Sequence, residues 1–182
     1  MSALFGAFIQ QGWVVPDLEA ALDQWLALGV GPFFVESHIR PPGELDGEPI
    51  QADLTAAFSY SGDQQIELIQ QHDDTPTIYR EFLATRPEGG LQHLAAWVDD
   101  IPSKLEELRT TAPAFRVRQR YGDAHVYLEN DEAPGLMVQL MARIELMTSL
   151  FDDIERAAAG WDGRTDPIRK IDWSSGRPVV GG

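Results

Sequence analysis

The sequence predicts an α+β fold made of two β-α-β-β-β halves, followed by a separate C-terminal helix and tail. Three observations predict it. QQGWVVPDLEAAL (Gln10 to Leu22) and HLAAWVDDIPSKL (His93 to Leu105) align without a gap, setting Gln10 on His93, Val15 on Val98, Asp17 on Asp100 and Leu18 on Ile101. Each copy is a short apolar strand, an acidic turn and an amphipathic helix, and each is followed by three segments of strand character. Near the C-terminus the pattern changes: Met147, Leu150, Phe151, Ile154, Ala157 and Ala158 fall on one helix face.

The elements follow in order. Leu4 to Val15 is apolar with short polar interruptions and reads as a buried strand, ended by Pro16 and Asp17. Asp17 is a good N-cap, and Leu18, Ala21, Leu22, Trp25 and Leu26 recur at helical spacing until Gly29 and Gly31. Phe33, Phe34 and Val35 open a second strand, and Pro41 to Asp46 is a loop by composition. Leu54 to Tyr60 is a third strand. Ser61-Gly62-Asp63 is a turn, and Gln65 to Gln70 is a fourth strand with Gln65, Glu67 and Ile69 on one face. Residues 72–90 link the halves and hold a short helix from Thr77 to Ala84. In the second half a helix runs from Ser103 to Arg109. Strands follow at Phe115 to Arg120, His125 to Glu129 and Leu136 to Met141, the last two joined by a turn at Asp131 to Gly135. The predicted domain is 1–142, with halves 4–71 and 91–142; segment 143–182 is a helix closed by Gly160 and an irregular tail.

Composition removes several classes of function. With 43% hydrophobic and 24% charged residues in 182, the chain reads as an ordinary soluble globular protein. The absence of cysteine excludes disulfides, thiolate metal sites and cysteine nucleophiles. A formal net charge of -15 repels phosphate backbones and anionic lipid, which argues against nucleic-acid and membrane-surface roles. The apolar N-terminus has no basic flank and reads as a strand instead of a secretory signal, so the cytoplasm is the expected compartment.

The element order and four motifs, VVPDLEAALDQWLALGVGPF, GDQQIELIQQ, GGLQHLAAWVDDI and PGLMVQLM, resemble the vicinal oxygen chelate superfamily, in its glyoxalase and methylmalonyl-CoA epimerase-like branch. The resemblance implies that the two βαβββ modules form an open, barrel-like mixed sheet around a central cavity, and that the protein is a homodimer. It also implies four inward-facing metal ligands, two from each module. The first-strand positions fall on Gln10 and His93, and the last-strand positions on Glu67 and Gln139. One imidazole, one carboxylate and two amide oxygens suit Zn, Co, Ni, Mn or Mg. Such an ion acts as a Lewis acid toward a substrate carbonyl. The family's isomerases usually carry Glu at the place of Gln139, and an amide cannot be a general base. The catalytic carboxylates are then Glu67 and Glu48, the latter because an acid near the third strand serves the epimerases.

Each residue also has a plainer reading. His93 is read equally as a hydrogen-bonded core histidine, and Glu67 as a solvated strand residue. Gln10 and Gln139 are equally amides bonded to each other or to water. Trp13, Phe58, Trp97 and Tyr127, with His125, are candidate ligand contacts on the cavity wall or simply packing. Arg116, Arg118 and Arg120 alternate along one strand, as a phosphate clamp or as a solvated face. The C-terminal helix packs outside the sheet, closes the barrel mouth or meets a partner. Three functions fit a small-molecule ligand: a metal-dependent isomerase, epimerase or lyase of a small carbonyl or acyl-thioester compound; a metal-free binder of the bleomycin-resistance kind; and a metal-free enzyme for a hydrophobic ligand.

Overall fold

A computed structural model describes residues 2–133, 135–175 and 177–180. Pro134 of the expected 131–135 turn, and Gly176, Gly181 and Gly182 of the tail, lie outside the described residues. The first half contains β1 (Gln10–Val14), α1 (Leu18–Ala27), β2 (Phe33–Ile39), a hairpin of β3 (Gly43–Leu45) and β4 (Glu48–Ile50), β5 (Leu54–Ser61) and β6 (Gln64–Gln71). Helix α2 (Ile78–Thr85) lies in the link. The second half contains β7 (Gly90–Val98), α3 (Ile101–Thr111), β8 (Phe115–Tyr121), β9 (His125–Asn130) and β10 (Met137–Ala142). Then come α4 (Glu145–Ala159), β11 (Ile168–Asp172) and β12 (Val179–Val180). The strands form one open mixed sheet in the order β12-β11-β2-β5-β6-β1-β7-β10-β9-β8-β3-β4.

The internal repeat is visible in the backbone. Asp17 and Asp100, matched in the sequence, both cap helices: their carboxylates accept from Ala20 N at 3.1 Å and Ser103 N at 2.7 Å. Helices α1 and α3 cover one side of the sheet. Leu18 and Leu22 pack on Ile66 and Leu68, and Ile101 and Leu108 pack on Val138 and Leu140. Because strand side chains alternate, Glu67 and Gln139 must face the other side.

The two halves meet at the antiparallel pair β1–β7, which is flanked by β6 and β10, each parallel to its neighbour. The register is two-fold symmetric. Gly12 lies opposite both Glu67 and His93, and Ala95 lies opposite both Gln10 and Gln139. All four predicted ligand positions therefore share one face, around two small residues. The smaller is indispensable: a Cβ on Gly12 would sit 1.9–2.4 Å from ring atoms of His93.

Three segments differ from the sequence expectation. The first strand is shorter than Leu4 to Val15; before it, Ser2 and Gly6 form an isolated bridge. The loop at 41–46 is instead the start of a hairpin. Asp46 and Gly47 both have positive φ, 50° and 87°, as a two-residue turn of the Asp-Gly kind demands. This hairpin leaves the first half after β2 and pairs with β8 of the second, Glu44 opposite Arg120 and Leu45 opposite Gln119. The tail is not irregular throughout: β11 adds to the edge strand β2 in parallel, Ile168 opposite Phe33. Helix α4 takes the second of its three expected places, on the concave side. Its Leu150, Phe151 and Ile154 pack against Ala56, Phe58, Ala95 and Met141.

Arg118 pins the hairpin. It is 12% exposed and bridges Asp46 at 3.0 Å, Glu81 of α2 at 2.8 Å and Glu129 of β9 at 2.8 Å. Arg118→Ala leaves three carboxylates facing one another. It is expected to cost about 2 kcal/mol in urea unfolding and to speed amide exchange across 43–50. Gly12→Ala is expected to cost more, about 3 kcal/mol, because the obstacle is a fully buried ring with no room to retreat; unchanged stability would mean that His93 is free to move.

Candidate functional site

Gln10, Glu67, His93 and Gln139 are all buried, and three of them are held by a neighbour that uses up one of their polar atoms. The Gln10 amide Nε2 donates to Gln65 Oε1 at 2.6 Å, and Gln65 Nε2 donates in turn to the Tyr60 hydroxyl at 3.1 Å. His93 Nδ1 lies 2.7 Å from Gln92 Oε1. An amide oxygen only accepts, so Nδ1 carries a hydrogen, and in the neutral ring the lone pair is on Nε2. Gln139 Nε2 donates to the Tyr127 hydroxyl at 2.9 Å and approaches His125 Nδ1 at 3.2 Å.

What these bonds leave over is one electron-pair donor on each residue. Gln10 Oε1, Glu67 Oε2, His93 Nε2 and Gln139 Oε1 are buried without a hydrogen-bond partner; among the described residues, the remaining atoms in that condition belong to Trp13, Ser59 and Trp173. His93 Nε2 and Glu67 Oε2 are 3.3 Å apart, yet neither atom makes a hydrogen bond. An unsatisfied buried acceptor costs about 1–3 kcal/mol. Four from one face of one sheet fit a shared cation: three oxygens and one imidazole nitrogen are the donors a divalent ion accepts.

Gln10, Glu67 and Gln139 form part of the wall of a cavity of about 160 Å³ on the concave face. His93 lies beneath them, fully buried, with its ring edge-on to Tyr127 at 5.2 Å. Of the predicted ligand contacts, Phe58, His125 and Tyr127 line the cavity. Trp13 does not. It is one residue out of phase with Gly12, so it points to the other side and packs on Trp25 of α1 at 5.5 Å. Trp97 shares the concave face but is taken up by Phe151 of α4 at 5.6 Å, beside a separate polar cleft with Arg143, Asp152 and Glu155. Glu48 is exposed on β4, outside the cavity lining, because the hairpin carries it toward the edge of the second half.

The sequence reading passed over Glu36, Tyr79 and Tyr121, which also line the cavity. Glu36 was detectable by alternation: Phe34 pairs with Phe58, Phe58 with Glu67, and Glu36 is two residues on, opposite Ala56. Burial raises the Glu36 pKa above the ordinary carboxylate value, and the nearby Glu67 charge raises it further. Burial holds the Tyr79 and Tyr127 phenols far above their usual pKa and keeps the His125 imidazole below its own. The Tyr79 hydroxyl donates to Tyr127 at 2.9 Å, so Tyr127 receives two hydrogen bonds and keeps its own hydrogen to give. The arrangement offers four unpaired electron-pair donors on one face, one further carboxylate beside them and neutral hydrogen-bond donors around them. Among the described residues no helix is long and apolar enough to cross a membrane.

Comparison with solved structures finds the same fold. A methylmalonyl-CoA epimerase from Mycobacterium tuberculosis is 21% identical with a TM-score of 0.54, covering 82% of this chain and 95% of its own. A hypothetical protein from Bacillus halodurans C-125 is 16% identical (TM-score 0.53; 76% and 95%). A selenomethionine methylmalonyl-CoA epimerase is 14% identical (TM-score 0.53; 80% and 100%). No curated protein sequence matches. The family model of the glyoxalase/bleomycin resistance protein/dioxygenase superfamily matches residues 9–127. With both modules, the shared-face residues and this match in place, the chain belongs to the glyoxalase/bleomycin resistance protein/dioxygenase superfamily.

Proposed function

We propose that the protein is a metal-dependent isomerase, epimerase or lyase acting on a small carbonyl compound. The observation that carries this reading is the set of four orphaned electron-pair donors, one from each of Gln10, Glu67, His93 and Gln139. These residues would hold a divalent ion, which when bound draws electron density from a carbonyl and makes the adjacent C–H more acidic. Gln65, Gln92 and Tyr127 orient three of the four by occupying their other polar atoms.

The proton is moved by Glu36. Gln139 cannot accept one, Glu67 belongs to the cation seat, and Glu48 is on the wrong surface. Glu36 faces the same cavity, and a carboxylate whose pKa is raised toward neutrality is the better base. Tyr127 supplies a neutral hydrogen-bond donor to the ligand oxygen.

A second reading is a metal-free binder in the same cavity, or a metal-free enzyme for a hydrophobic ligand. It is favoured by the two neutral amides: among the described residues, no group of three or more His, Cys, Asp or Glu is placed to hold a metal. Metal content separates the readings. Protein purified without chelator or metal-affinity resin is expected to carry near-stoichiometric Zn, Co, Ni, Mn or Mg by plasma mass spectrometry, and His93→Ala with Glu67→Ala to carry none. No metal after reconstitution would remove the first reading. On a carbonyl substrate found by screening, Glu36→Gln is expected to lower kcat by about 10²–10⁴-fold with metal content unchanged, and Glu48→Gln to leave kcat alone. The reverse pattern would return the base to the hairpin.

A further inference from the structure

The cavity has one wall that lies outside the two βαβββ modules. Helix α4 begins at Glu145, whereas the second module ends at Ala142, and its Met147 and Phe151 line the same space as Glu67 and Gln139. The helix is anchored there. Phe151 packs between Phe58 at 5.8 Å and Trp97 at 5.6 Å, and Ile154, fully buried, is held in the cluster that also contains Ile171 of β11. The wall is therefore a fixed part of the core.

The chemistry of the lining is one-sided. Among the described residues its charges are the carboxylates of Glu36 and Glu67, without a lysine or arginine, and apolar groups such as Ile39, Leu54 and Met141 make up much of the rest. The cations next to lining residues in the sequence are already committed. Arg40 is paired with Asp53 at 2.7 Å, Arg80 with Asp74 at 2.8 Å and Arg120 with Asp123 at 3.1 Å. Arg116 and Arg118, two of the three candidates for a phosphate clamp, are bound by Asp46 and Glu129, with Asp131 and Glu81 completing their sets. A polyphosphate tail would have to break such pairs or lie against carboxylates, and fixed cations are the usual means of holding one. At about 160 Å³ the cavity is smaller than the roughly 300–1,000 Å³ of sites for drug-sized ligands, so it suits a compact one.

We propose that the site takes a compact, uncharged, largely apolar molecule bearing a carbonyl or hydroxyl oxygen, and not a coenzyme A thioester, with Met147 and Phe151 of α4 setting the length it accepts. This rests on the concave cavity being the ligand site and narrows the small-carbonyl reading above. Both residues fill space that a longer ligand would need, and neither has a polar group to offer one. The ligand's oxygen meets Tyr127 and the amide floor, and its apolar body meets Phe58 and the helix.

The test uses the full-length protein and N-phenyl-1-naphthylamine, a neutral apolar dye that fluoresces on burial. The dye is expected to bind one per chain with a Kd on the order of micromolar, and coenzyme A or propionyl-CoA at about 1 mM to displace none of it. Met147→Trp, which fills the cavity, is expected to weaken dye binding about tenfold, with thermal unfolding checking that the variant is folded. Displacement by propionyl-CoA at micromolar concentration would overturn the proposal, as would equal dye binding by Met147→Trp. Metal analysis of the same samples keeps the two readings apart. Metal-free protein that binds the dye as expected removes the metal enzyme and leaves the ligand class. Metal-loaded protein that takes up propionyl-CoA does the opposite.

Discussion

The antiparallel contact between β1 and β7 is the constraint on which the site depends. It brings two copies of one strand side by side in opposite directions, so each copy presents its ligand position across from the other's small residue. Gly12 makes room for His93, and Ala95 makes room beside Gln10. A one-residue slip of this pair would turn the residues of one strand to the helix-covered side and scatter the four donors over two faces. The packing of α1 and α3, with apolar side chains alternating against Glu67 and Gln139, guards against such a slip.

Polar chemistry is then built in layers from neutral groups. Gln65, Gln92 and Tyr127 each satisfy one end of a site residue and so fix which atom is left for the cavity. An amide held in this way points its oxygen in a set direction without adding charge. That matters in a cavity where Glu36 and Glu67 already supply two carboxylates. The phenols of Tyr79 and Tyr127, kept protonated by burial, extend the same economy of charge up the wall.

Much of this was legible in the sequence, and what was not has physical reasons. The repeated strand-acid-helix unit, the caps Asp17 and Asp100, and the inward phase of Glu67 follow from local pattern, because periodicity records which face is buried. The Asp46-Gly47 turn carried a known hairpin signal, but its partner strand, β8, is more than 70 residues away and leaves no local trace. Strand β11 is as polar as a loop, since it buries only one residue, Ile171. Trp13 is placed on the wall by its chemistry, as an aromatic near a ligand position, yet alternation sends it to the opposite side. The seat of α4 was beyond local reading, because an amphipathic helix shows that it needs a cover and not which surface supplies it.

The β3–β4 hairpin adds a mechanical consequence. Each half of the molecule reaches into the other twice, once through β1 against β7 and once through the hairpin against β8. Neither half is then a foldable fragment: severed at the link around α2, each would present a bare strand edge where it had been joined. The two modules share a single cooperative fate, and the cavity between them exists only when both have folded.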